Sequence, residues 1–130
     1  MVRDGRCIVI VPTRRAAGGR QVLALPKGHP DGSESAADAA LREVREETGV
    51  EAELVEKLGD IRYWYMRGGR RISKVVSFFL LDYVSGELDD HDHEVEHAEW
   101  MALDEAARRL TYQGERDMAA AALSRRGKPQ

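Results

Sequence analysis

The chain has 130 residues, 42% hydrophobic and 33% charged, with a formal net charge of −3 and a pI near 5.8. That length suits one domain spanning residues 1–130 with a core of its own, and the acidic balance argues against a broad nucleic-acid-binding face. No apolar run approaches the roughly 18 residues of a membrane span, no signal-type apolar region follows the start, and Cys7 alone cannot form an internal disulfide, which suits a reducing cytoplasm.

In chain order, residues 6–13 hold a β-branched run ended by Pro12 and read as a buried strand. Residues 14–19 form a polar turn, and residues 20–25 alternate enough to predict a second strand. Two prolines and two glycines make residues 26–32 a loop. A helix follows over residues 35–48, with Ser35 as N-cap, Asp38 three residues on, an apolar stripe of Ala37, Ala40, Leu41 and Val44, and Gly49 at the left-handed C′ position. Residues 53–65 and 71–83 predict paired strands around a Gly68-Gly69 turn. The apolar run 75–81 predicts a central strand covered on both faces. An acidic, histidine-bearing loop over 86–94, a short strand over 95–101, and helices over 104–110 and 114–125 complete the order, before a basic tail. A mixed sheet with helices on both faces buries these elements most economically.

Glu43, Glu46 and Glu47 stand at i, i+3 and i+4 and so share one helix face flanking the apolar stripe. Like charges at that spacing repel by about 0.2–0.5 kcal/mol per pair, and near a helix C-terminus the macrodipole disfavours them further. A hard divalent cation reverses the sign, since Mg²⁺ and Mn²⁺ bind carboxylate oxygens. Alone, the triplet reads as a solvated charged face, with Arg42 and Arg45 close enough for ion pairs. The wider spacing shifts the balance: Gly28, Glu34, Arg42, Glu43, Glu46, Glu47 and Gly49, with aliphatic Val44 and Val50, form one pattern, Gly-x5-Glu-x7-Arg-Glu-Val-x-Glu-Glu-x-Gly-Val.

This stretch resembles, without a departure, the Nudix box of the Nudix hydrolases. The resemblance implies an α/β (α+β) fold, an α/β/α sandwich with a mixed central sheet and the box as a loop-helix-loop. It implies hydrolysis of a nucleoside diphosphate linked to another group, with Mg²⁺ or Mn²⁺ as cofactor. Glu43, Glu46 and Glu47 take the metal-ligand positions, with the Gly28 carbonyl beside them. Glu34 and Gly49 are structural, and Arg42 orients the glutamates. A further acidic residue comes from a later loop in many relatives. Counting back from Trp100, Glu94 matches it best and Glu96 comes second. His91, His93 and His97 could be read as a zinc cluster, but oxygen ligands surround them and no cysteine joins them.

The run Leu25-Pro26-Lys27-Gly28-His29 resembles the start of the box in the diadenosine and diphosphoinositol polyphosphate branch and in some MutT-like proteins. It makes Lys27 and His29 candidate substrate contacts, Lys27 as a fixed charge on a polyphosphate. Tyr63 and Tyr65 share a strand face opposite Trp64 and either stack a purine or fill the sheet core. Arg70, Arg71 and Lys74 could meet distal phosphates or protect an edge strand. The expected substrate is a small nucleotide polyphosphate, foremost a diadenosine polyphosphate, with a (d)NTP pyrophosphatase as the alternative and a non-catalytic nucleotide sensor as a third reading. Neither nucleic acid nor membrane is expected as a partner, and a homodimer is possible.

Overall fold

Buried on both faces, residues 7–10 of the strand Arg6–Pro12 lie at the heart of the sheet, as their unbroken β-branched character requires. The computed structural model describes residues 2–88 and 93–126. Within them the order is β1 (Val2–Arg3), β2 (Arg6–Pro12), a 3₁₀ turn at Ala17–Gly19, α1 (Ala36–Thr48), β3 (Val50–Arg67), β4 (Arg70–Gly86), β5 (Val95–Ala102), α2 (Leu103–Arg109) and α3 (Gln113–Arg126). The sheet runs β3-β4-β1-β2-β5. It is mixed because β1 pairs parallel to β4, Val2 opposite Asp82, while the other ladders are antiparallel.

The alternation of β2 divides the core. Cys7 and Val9 join Leu80, Met101 and the buried residues of α2 and α3. Ile8 and Ile10 meet Val22, Ala24, Val95 and Val50, the residue that follows α1 and Gly49. Helix α1 itself packs along β3 and β4. It starts where the sequence indicates: Ser35 Oγ accepts the Asp38 N–H at 3.1 Å, a cap of about 1 kcal/mol. It stops at Gly49, whose φ of 81° is left-handed and whose N–H returns to the Arg45 carbonyl.

Three sequence expectations need correction. Residues 20–25 are extended but form no strand: their ladder is one bridge, Ala24 to Ile10. The N–H groups of Leu23 and Leu25 turn instead to the side chains of Thr111 (2.8 Å) and Glu115 (2.7 Å), which no neighbouring strand could also occupy. The run 75–81 is central, but Val75 is 44% exposed and full cover on both faces is confined to Leu80 and Leu81, because the outer part of the β3–β4 hairpin extends past its neighbours. In α1 the buried positions are Ala39, Val44 and Thr48, whereas Ala37, Ala40 and Leu41 are only half-buried. The sequence also omits β1, which a tight turn at Asp4-Gly5, both with positive φ, folds back onto β2. No helix among the described residues is long and apolar enough to cross a membrane.

Candidate active site

The loop ahead of α1 lies directly on the helix. A Cβ placed on Gly28 would stand 2.5 Å from Glu43 Cγ and 2.7 Å from Glu43 Oε1, closer than real side-chain contacts allow. Only a glycine therefore lets the loop backbone reach the Glu43 carboxyl. One turn on, Glu47 Oε1 accepts the Lys27 N–H at 2.9 Å. Two of the three box carboxylates thus touch residues 27 and 28, and both are half-buried. The third, Glu46, is more open, at 47% side-chain exposure.

Arg42 ties the assembly together. Its Nε donates to Glu34 Oε2 at 2.9 Å, its Nη1 to Glu43 Oε1 at 2.6 Å and Glu46 Oε2 at 3.1 Å, and its Nη2 to the His29 carbonyl at 3.0 Å. Only a planar guanidinium can bridge loop and helix with so many fixed donors. Glu34 in turn accepts the Asp31 N–H. The Arg42 hydrogen bonds, chiefly, hold its carboxyl below the ordinary range. Glu43 moves the other way. Burial pushes its carboxyl up; Arg42 opposes this, and the charges of Glu46 and Glu94 add to it.

The charge of Glu94 is thus felt at Glu43. The Glu94 carbonyl is held by the Thr13 N–H at 2.9 Å. Glu96 is engaged elsewhere, with Arg15 at 3.2 Å and Gln21 at 3.4 Å. Glu43, Glu46, Glu47 and Glu94 carry carboxylate oxygens of the kind that hard divalent ions bind, and the repulsion felt at half-buried Glu43 is what a bound cation would relieve. These residues fit a hard divalent ion. Among the described residues no three potential ligands converge on one point, and oxygens of Glu43 and Glu47 are engaged by Arg42 and the Lys27 N–H. His93 is exposed and His97 sits 3.7 Å from Glu99, while His91 lies outside the described residues.

The other proposed contacts occupy two places. Lys27 Nζ lies 3.2 Å from Glu115 Oε2, 5.5 Å from the Tyr63 ring centroid and 5.9 Å from that of Tyr112. Tyr63 donates its hydroxyl to the same Glu115 oxygen at 2.7 Å, and burial, reinforced by Glu115, keeps that phenol protonated. Lys74 is opposite Tyr63 in the ladder, 6.0 Å from the Tyr65 ring; partial burial, then the charges of Arg14 and Lys27, push its ammonium down. Arg71 is not with them. It lies on the opposite face of the hairpin, 4.2 Å over the exposed Trp64 ring. Arg70 and the His29 side chain are exposed. Sequence reading missed Glu115, though a signal existed: it stands i−4 and i−7 from Ala119 and Ala122, on the buried stripe of α3, where a lone carboxylate needs partners.

The NUDIX domain profile matches residues 1–122. The chain belongs to the Nudix family. Among its relatives is a Mycobacterium tuberculosis protein that bears the mutator name MutT4, 43% identical over 101 residues, covering 78% of this chain and 41% of that one. Another is the asymmetrical bis(5'-nucleosyl)-tetraphosphatase of Rattus norvegicus, 38% identical over 87 residues, 62% of this chain and 56% of the relative. The chain thus spans about half or less of these curated relatives. Among solved structures, a MutT Nudix hydrolase from Burkholderia pseudomallei superposes with a TM-score of 0.73 at 26% identity, covering 93% of this chain and 91% of its own. The mixed sheet with its helices is the Nudix fold.

Proposed function

We propose that this Nudix protein hydrolyses a phosphoanhydride bond in nucleoside diphosphate-X compounds, with a diadenosine polyphosphate as favoured substrate and Mg²⁺ or Mn²⁺ as cofactor. The observation that carries the reading is the Gly28–Glu43 contact, which seats the loop glycine on the helix that bears Glu43, Glu46 and Glu47 and next to Lys27, whose N–H Glu47 accepts. Glu43, Glu46, Glu47 and Glu94, with the Gly28 carbonyl, would hold the metal. When bound, a divalent ion supplies neutralisation of phosphate charge and a water of lowered pKa.

The chain's own residues do the rest. Arg42 keeps Glu43 and Glu46 aimed at the loop, and Glu34 braces Arg42. Burial pushes the Glu43 carboxyl up, a cost that a cation held there would offset. Lys27, and Lys74 whose ammonium feels the Lys27 charge, would supply the positive charge that meets the phosphate chain. Tyr65 offers a ring to a base, whereas the Tyr63 hydroxyl is already committed to Glu115.

A second reading, a (d)NTP pyrophosphatase, draws on the 43% identity to the mutator-named relative. Products separate the two: a dinucleoside polyphosphate gives two nucleotides, a dNTP gives a monophosphate and pyrophosphate. The test is a substrate panel with Mg²⁺ and Mn²⁺, products resolved by chromatography, with Glu47→Gln as control. Metal-dependent release of two nucleotides, lost in Glu47→Gln, is expected. Wild-type turnover in Glu47→Gln would refute the assignment of the box. Nucleotide binding without turnover would favour the sensor reading.

A further inference from the structure

Glu115 is fully buried, and its two oxygens have sharply different duties. Oε1 accepts the Leu25 N–H at 2.7 Å; Oε2 accepts the Tyr63 hydroxyl at 2.7 Å and faces Lys27 Nζ at 3.2 Å. It reaches them because Gly114 lets α3 press on β3: a Cβ there would stand 2.8 Å from Ile61 Cγ2. Glu115 also lies in the first turn of α3, where the helix dipole favours an anion.

We infer that Glu115 is a positioning residue for the phosphate-binding side of the cleft, fixing the Lys27 ammonium so that a polyphosphate meets it from a set position. This rests on the proposed role of Lys27 in substrate binding. Among the described residues Lys27 supplies the ion pair of this buried carboxylate, so swinging Lys27 away would strand a charge in the core, a strongly unfavourable event. The ammonium is further seated against the rings of Tyr63 and Tyr112, which meet edge to face at 5.8 Å. An ammonium has three donors. This one is paired with Glu115, and the Lys27 side chain remains 22% exposed. The backbone N–H of the same lysine is bound by Glu47. Lys27 is therefore clamped at both ends, and the box carboxylates and the phosphate site keep a fixed spacing.

The test is Glu115→Gln, alone and with Lys27→Met. The amide can still accept the Leu25 N–H through its oxygen, but it offers Lys27 no charge. With a dinucleoside tetraphosphate as substrate, Glu115→Gln should raise KM about tenfold and change kcat by less than about threefold, the signature of lost uniform binding. In the Lys27→Met background it should add no further rise. Calorimetric binding of inorganic tripolyphosphate without metal should follow the same pattern in Kd. Glu115→Asp, which keeps the charge but withdraws it by a methylene, should raise KM less, and it replaces Glu115→Gln in the comparison should the latter not fold. An unchanged KM and tripolyphosphate Kd in Glu115→Gln, or an equal added loss in the Lys27→Met background, overturns the inference. If the wild type cleaves no nucleoside polyphosphate while the tripolyphosphate pattern holds, the hydrolase reading falls and the inference stands. If the wild type cleaves them and Glu115→Gln leaves KM unchanged, the reverse is true.

Discussion

Gly28→Ala isolates the contact on which the site is built. Ordinary van der Waals contact begins near 3.4 Å, so a methyl group 2.5 Å from Glu43 Cγ requires one of them to retreat by about 1 Å. Glu43 does not give way freely, because Arg42 Nη1 holds its Oε1 at 2.6 Å. Overpacking of this kind costs about 1–3 kcal/mol, several degrees in Tm for a chain of this size. A reacting group misplaced by about 1 Å can lose roughly 100-fold in rate, or about 2.7 kcal/mol. The substitution should therefore lower kcat/KM by about two orders of magnitude and Tm by only a few degrees. The decisive control is Glu43→Ala. Gly28 does not have a left-handed φ, so once the glutamate is gone an alanine at 28 should stabilise by about 0.4–1 kcal/mol through the unfolded chain. The sign of Gly28→Ala on Tm should thus reverse between the two backgrounds, read by thermal denaturation of all four proteins. The same loss of Tm in both would show that the strain does not come from Glu43 and would refute the reasoning.

Other outcomes follow from the same geometry. Glu34 titrates below its ordinary value of 4.5 because of Arg42 and the Asp31 N–H; its stabilisation is complete above about pH 4.5 and is lost as the pH falls through the lower native value. Tm measured from pH 7 to pH 3 should then fall less steeply on the acid side in Glu34→Gln, and parallel curves would contradict this. Glu94→Gln should weaken metal-dependent turnover by at least about tenfold, while Glu96→Gln, whose carboxylate faces Arg15 and Gln21, should stay within about twofold; steady-state assays across a metal titration decide, and the reverse ranking would make Glu96 the residue in the site. Burial pushes the Cys7 thiol up to about 11, so a thiol-specific chromogenic reagent at pH 8 should leave the native protein unmodified and react fully only in denaturant.

What the sequence made legible was what short-range physics decides. Ser35, Gly49 and the Gly68-Gly69 turn each act within a few residues of themselves, and the structure places a cap, a left-handed stop and a hairpin there. The box is equally local: Gly28 and Glu43, or Lys27 and Glu47, are within 20 residues of each other. Long-range partners were not legible. Residues 20–25 have the alternation of a strand, but the N–H groups of Leu23 and Leu25 are claimed by Thr111 and Glu115, some 90 positions away. Arg71 and Lys74 look like one basic group in the sequence, yet the ladder sends them to opposite faces. Glu115, in a helix otherwise read from its alanines, gains its meaning only when Leu25, Lys27 and Tyr63 surround it.

The two-residue strand β1 joins the β3–β4 hairpin to the β2–β5 pair, through a single parallel register point at Val2 and Asp82. A truncation or bulky fusion that pulled Val2 and Arg3 out would leave β4 and β2 with bare backbone edges facing one another. Such edges recruit strands from other molecules. The seating of Val2 and Arg3 thus bears directly on the tendency to self-associate.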